Sequence, residues 1–333
     1  MTTTGQIRQS KFDGLDHQVS ILEGRVPEPL RSVLRGVGQV FFQENALTGI
    51  CFLLGIAITS PVMAIGALVG SAIGYATARF GSFDSTENAG GIYGFNATLV
   101  GIATFFFFQP SVLSVALMLV GCVFTTWLTR LMRGYVPFPT YTTPFILTTW
   151  VIHAIGVSMK AAPVTGYPAI LPDPPLPFVV EAVTHGIGQV MFQGSLWAGL
   201  LFLVGIALSD RRHAGLVLTG SIVGMMLAWH HTTETTRAID PERLVDRALF
   251  ENIRLGLYGY NATLVPVALY LWRKSLIPAL LGMLLTVPIA ELIPRLGIPA
   301  LTAPFVVAAW LVILLGRLEL TSLAGTSNPT PAD

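Results

Sequence analysis

Four glutamines lie in apolar sequence at a repeated spacing. Gln39 and Gln43 stand in GVGQVFFQENALTG, and Gln189 and Gln193 in GIGQVMFQGSLWAG. A primary amide offers two N–H donors and a carbonyl acceptor. Four residues apart on a helix, both amides share a face, and each first glutamine is followed three residues on by a ring, Phe42 or Phe192. Two kinds of chemistry fit. The amides could bind helix to helix, or they could line a polar path with an aromatic wall. The recurrence beside a ring favours lining for Gln39 and Gln189, and helix contact for Gln43 and Gln193.

Other uncharged groups recur in the same order. YGFNATLVGIA at Tyr93 matches YGYNATLVPVA at Tyr258, and FPTYTTPFILTTW at Phe138 matches IPALTAPFVVAAW at Ile298. Asn96 and Asn261 read as N-caps of the helices they begin. The rings before them, Phe95 and Tyr260, are the better lining candidates, with Leu99 and Leu264 one turn on. Thr142 and Thr302 each stand two residues before a proline. There a hydroxyl either satisfies backbone freed by the proline or faces a lumen. Charges are not duplicated: Glu44 falls opposite Gly194, Glu87 opposite Asn252, and Glu251 opposite Thr86. Ion-coupled carriers use carboxylates or paired charges at mid-membrane, so neutral donors, acceptors and rings suit a neutral polar solute moving downhill.

Composition sets the solvent. Of 333 residues, 53% are hydrophobic and 11% charged, against roughly 25% charged in soluble domains, and the mean hydropathy is +0.67. Lipid must surround most of such a chain. A net charge of +1 argues against nucleic acid as a partner. Cys51 and Cys122 read as small buried hydrophobes. The polar N-terminus has no apolar signal core, so it is expected to remain cytoplasmic. No nucleophile elbow, phosphate loop or dinucleotide fingerprint is present, so neither an enzyme nor a cofactor is expected. WHHTTE gathers His230, His231 and Glu234, but in an expected outer loop, where the fixed geometry of three or four ligands that a zinc site needs is not expected. His153 and His185 read as helix contacts.

The elements that must position these groups form two copies of one unit. A tail (1–27) precedes a first repeat (28–160). A Pro-rich linker (161–177), extended by composition, leads to a second repeat (178–317) and a tail (318–333). Each unit reads as five apolar helices, the first of them broken, near Leu30–Ser60 and Phe178–Ser209. STENAGGIYG and RALFENIRLGLYG are expected to be short re-entrant helices turning at a glycine. An odd number of spans inverts the second copy. With the N-terminus inside, Arg79, Arg130, Arg133, Arg211 and Arg212 fall on the inner side. Lys160, Arg237, Arg243, Arg247, Arg254 and Arg295 fall outside, in keeping with the positive-inside rule. Both termini are then cytoplasmic.

The six motifs, GVGQVFFQENALTG, YGFNATLVG, FPTYTTPF and their second copies GIGQVMFQG, YGYNATLV and IPALTAPF, resemble the urea transporter family from about Leu30 to Gly316. The short chain resembles a bacterial member, which places it in the inner (plasma) membrane. The resemblance implies an all-α integral membrane protein of two inverted repeats, each of five transmembrane helices plus a tilted re-entrant helix. It implies a homotrimer with a central pore per protomer, and passive, channel-like transport of urea. It assigns Gln39, Phe42, Phe95 and Leu99 to one wide site, Gln189, Phe192 and Leu264 to its partner, and Thr142 and Thr302 to the narrow middle. Tyr260 departs from the first copy's Phe95, so the two sites need not be equivalent. A pore for ammonia or short-chain amides, or an ion-coupled carrier, are the alternatives.

Overall fold

The doubled glutamine phrase is a helix break. In a computed structural model that describes residues 17–166, 173–239 and 247–326, helix α1 (Glu28–Gly38) tightens into a 3₁₀ turn, Gln39–Phe41, which ends at Phe42 in the left-handed conformation (φ 62°). Asn45 then accepts a hydrogen bond from Thr48 N and starts α2 (Ala46–Thr59). The two halves meet at a bend of 72°. The second copy repeats this with α8 (Phe178–Gly188), a 3₁₀ turn Gln189–Met191, Phe192 also at φ 62°, and α9 (Leu196–Ser209), again bent by 72°.

The remaining elements follow in the same order twice. The first copy continues with α3 (Pro61–Phe80), α4 (Ser85–Ala89), α5 (Phe95–Phe107), α6 (Val112–Tyr135) and α7 (Thr143–Ser158). The second continues with α10 (Arg211–Ile239), α11 (Arg247–Arg254), α12 (Gly259–Trp272), α13 (Leu276–Leu292) and α14 (Ala303–Thr326). Among the described residues there is no strand, only an isolated bridge between Phe108 and Pro163. Within the described residues four helices are long and apolar enough to cross a membrane, or up to six spans if each bent pair counts as one; Phe95–Phe107, Thr143–Ser158 and Leu276–Leu292 are shorter apolar helices. The crossing-length helices keep less than half of their apolar windows buried. Their outward faces carry large apolar side chains such as Leu119, Val120, Leu218 and Leu311, as lipid-facing helices must.

The halves contact each other reciprocally. Phe52 lies over Gly205 while Phe202 lies over Gly55, the two rings 5.0 Å apart between α2 and α9. Trp150 Nε1 donates to Pro299 O at 2.9 Å, and its counterpart Trp310 donates to Pro139 O at 2.8 Å. In an isologous contact residue i meets the counterpart of j, and j the counterpart of i, the mark of a two-fold relation.

Three expectations change. WHHTTE is not in a loop: α10 runs on to Ile239, because the apolar periodicity ends before the backbone does. His231 pairs there with Glu291 at 2.9 Å, and no group of three metal-binding side chains exists among the described residues; the side chain of Glu234, like Arg243, lies outside them. Helix α14 continues to Thr326, into the stretch read as a tail. At the other end, the helical stretch 17–24 is tied to the body through Glu23, which accepts from Ala46 N at 2.9 Å. The asparagines do not cap their own helices. Asn96 reaches across to the start of α7, its Oδ1 accepting from Phe145 N (3.3 Å) and its Nδ2 donating to Tyr141 O (3.4 Å) and Thr129 Oγ1 (3.1 Å). Asn261 does the same for α14, accepting from Phe305 N (3.1 Å) and donating to Leu301 O (3.3 Å). Capping chemistry is right, but the capped helix is another one.

Candidate functional site

At the centre, Thr142 and Thr302 meet. Their Oγ1 atoms lie 2.7 Å apart in buried surroundings. Each stands just ahead of a helix, α7 or α14, whose second residue is proline. The preceding residues, Tyr141 (φ 45°) and Leu301 (φ 47°), are left-handed. That uncommon backbone turns the chain sharply into the helix and sets the two threonines face to face. The Thr142 side chain makes no capping bond to its own helix. Two hydroxyls joined by one hydrogen bond still hold one donor proton and unused lone pairs.

Rings flank the pair on both sides, each supplied by one half and packed on the other. Phe42 stands 6.2 Å from Phe305 and 6.0 Å from Tyr141. Phe192 stands 6.4 Å from Phe145 and 4.7 Å from Phe106. Both Phe42 and Phe192 hold the left-handed backbone conformation, which costs a residue with a Cβ about 1–3 kcal/mol. The same left-handed conformation recurs at this one duplicated position.

Beyond the rings lie the glutamines. Gln39 Nε2 donates to Gly90 O at 2.8 Å, at the end of α4. Gln189 Nε2 donates to Leu255 O at 3.0 Å, at the end of α11. Among the described residues neither Oε1 meets a donor, so each amide keeps its acceptor unused. Gln189 and Phe192 border a cavity of about 730 Å³, shared with Thr59, Met63, Phe106, Phe107 and His153. Its far wall is the start of the linker, held by Gln109 N donating to Ala162 O and Val164 N donating to Phe107 O. Gln43 and Gln193 are buried and bond helices across the halves: Gln43 Nε2 lies 3.2 Å from His213 Nδ1, and Gln193 Oε1 accepts from Thr59 Oγ1.

Of the remaining candidates, Leu99 on α5 and Leu264 on α12 are wholly buried, and Phe95 is buried at the start of α5. Tyr260 is half-buried, and its hydroxyl donates to Leu301 O at 2.6 Å, next to Thr302. It therefore offers a ring but no free hydroxyl proton, and with Asn261 it occupies a carbonyl whose counterpart, Tyr141 O, accepts among the described residues from Asn96 alone. The threonine, ring and glutamine layers named here contain no ionised group. Sequence reasoning missed Phe106 and Phe107, which lie in a run of four phenylalanines with no duplicated ring pattern, and Thr59, although its counterpart Ser209 also carries a hydroxyl. It read His153 as a helix contact, whereas it lines the cavity against Phe107 at 4.7 Å.

A family model described as urea transporter matches residues 30–240 and 243–317. Urea transporter 1 of Ovis aries is 28% identical over 307 residues, covering 85% of this chain and 76% of that protein. Urea transporter 1 of Mus musculus is 29% identical over 311 residues, with the same coverage.

Proposed function

The chain belongs to the urea transporter family, a family of membrane transporters and not of enzymes, and we propose from that premise that it conducts urea passively through a pore between its two halves. The observation that carries this reading is the neutral sequence of groups from Gln39 and Phe42, through the Thr142–Thr302 pair, to Phe192 and Gln189.

Urea is flat and uncharged, with one carbonyl acceptor and two NH2 groups. Stripping water from such an amide without replacement costs roughly 2–7 kcal/mol. The free Oε1 of each glutamine accepts from an NH2 group at the mouth. The rings form a slot for a plane. The threonine pair supplies a proton for the urea oxygen and lone pairs for its nitrogens. No layer holds a charge to offset the desolvation of an ion, so ions are opposed. Phe95 with Leu99, and Tyr260 with Leu264, back the two wide sites. In the assembled state three protomers form a trimer, each with its own pore, in the inner membrane with both termini cytoplasmic. The repeats are inverted, and the cavity at Gln189 opens outward.

Stopped-flow urea flux in proteoliposomes tests the function. Flux is expected to be equal with and without an imposed proton or sodium gradient, and greater than that of acetamide or methylammonium. Dependence on a gradient makes the protein a carrier, and faster methylammonium makes it an ammonia pore. In the same assay Gln39→Ala and Gln189→Ala are each expected to slow urea several-fold in folded protein; wild-type flux in both would leave them as pins for α4 and α11 alone. Orientation is tested by labelling. Cysteines placed at Pro61 and Arg211, the exposed neighbours of Ser60 and Asp210, should react from opposite sides of the membrane, and reaction from one side only rejects inversion.

A further inference from the structure

Behind each mouth glutamine stands a clamp that identity matching does not reveal. In the first half, Arg35 Nε donates to Glu23 Oε1 at 2.8 Å and Arg35 Nη1 to Ala89 O at 3.3 Å. Glu23 Oε1 also accepts from Ala46 N at the start of α2 (2.9 Å). In the second half His185 replaces Arg35 and Asp173 replaces Glu23. His185 Nε2 lies 2.9 Å from Asp173 Oδ2, and Nδ1 lies 3.0 Å from Arg254 O. Asp173 Oδ2 likewise accepts from Leu196 N at the start of α9 (2.9 Å), and Oδ1 accepts from Ser195 Oγ (3.0 Å). The carbonyl gripped by the cation, Ala89 or Arg254, directly precedes the one that holds the glutamine, Gly90 or Leu255.

We propose that Arg35 and His185 are positioning residues for the two mouth glutamines, one permanently charged and the other dependent on its protonation, so that the Gln189 mouth alone responds to pH. The argument is geometric. Both ring nitrogens of His185 face acceptors, a carboxylate and a carbonyl. Only an imidazolium donates from both; a neutral ring gives up one bond. A guanidinium keeps its protons at any physiological pH, whereas histidine as a class changes charge near neutrality. The charged groups around His185 are Asp173 from the linker, Arg254 and Glu251 on α11, and Glu181 on its own helix, with the Arg254 guanidinium engaged by both glutamates. The facing stretches of α9, α10 between 214 and 229, and α12 carry no Asp, Glu, Lys, Arg or His. As pH rises, His185 loses a bond, the end of α11 loosens, and Gln189 loses its fixed aim.

The inference rests on urea conduction. Urea flux is measured in proteoliposomes buffered alike inside and out, from about pH 5.5 to about pH 8, with melting temperature recorded in parallel. Wild-type flux should fall at least about three-fold toward high pH, as expected for one lost charged hydrogen bond. His185→Arg should keep the low-pH flux and flatten the profile, and Arg35→His should add a second fall. Asp173→Asn should give low, flat flux. A flat wild-type profile, or a His185→Arg profile that keeps the wild-type slope and so assigns it to His153 or His213, overturns the proposal. Absence of urea flux at every pH contradicts conduction itself, not the clamp.

Discussion

Thr142→Val and Thr302→Val should each slow urea flux about ten-fold to a hundred-fold, with folding and assembly unchanged. Valine keeps the shape of threonine and removes the hydroxyl. Each threonine's Oγ1 has the other as its partner, at 2.7 Å, so either substitution leaves the surviving hydroxyl unmatched and removes half of the polar surface offered to a solute at mid-path. A hydrogen bond lost where no water replaces it costs about 1–3 kcal/mol. If the loss falls on the barrier, each 1.4 kcal/mol is about one decade of rate. The competing account makes these hydroxyls caps for backbone near Pro144 and Pro304. It predicts a lower melting temperature and normal flux per folded protein, and that pair of results would defeat the conduction role. The structure already weakens it for Thr142, whose side chain makes no capping bond.

Gly91→Ala and Gly256→Ala should prevent stable folding of the half that carries them. These glycines turn the chain from the short helices α4 and α11 back into α5 and α12, at φ 83° and 74°. A Cβ in that conformation costs about 1–2 kcal/mol. It would also stand 2.4 Å from Gly36 N at Gly91, and 2.2 Å from Gly186 N at Gly256. Both obstacles are backbone, which cannot rotate away, so overpacking of about 1–3 kcal/mol adds to the conformational cost. Thermal melting in detergent, read by fluorescence-detected size exclusion, should show a drop well beyond that of Gly134→Ala, where nothing lies within 4 Å of the added methyl. An equal, small drop at all three positions would show that the turn adapts.

Much of this architecture was legible because it is written twice. The helix break at Gln39–Phe42, the turn at Gly91 and the meeting of Thr142 with Thr302 are duplicated letters in a duplicated order, and apolar periodicity supplied the helices between them. What was not legible lies where physics is conserved and letters are not. Glu23 with Arg35, and Asp173 with His185, perform one task with no shared residue, and both acids lie in stretches read as tail and linker. Long-range capping escaped for a related reason. Asn96 at the start of a helix has the local signature of a cap, and nothing local says that the start of α7 is nearer in space. The end of α10 escaped because its last turns are polar, and a polar helix reads as loop.

In the proposed pore, the hydroxyl of Tyr260, bonded to Leu301 O where the other half has the bare ring of Phe95, makes the two routes into the centre chemically unequal. Detailed balance limits what that inequality can do. With equal urea on both sides a passive pore carries no net current, however lopsided its walls. At low concentration its permeability is the same in both directions. Occupancy is free to differ. Leu301 O accepts from both Tyr260 and Asn261, whereas Tyr141 O accepts from Asn96; the side of the proposed pore with the spare lone pair is expected to fill at a lower urea concentration than the side guarded by Tyr260, so that influx and efflux half-saturate at different concentrations. Tyr260→Phe brings the two half-saturation concentrations together and leaves the low-concentration permeability equal in both directions.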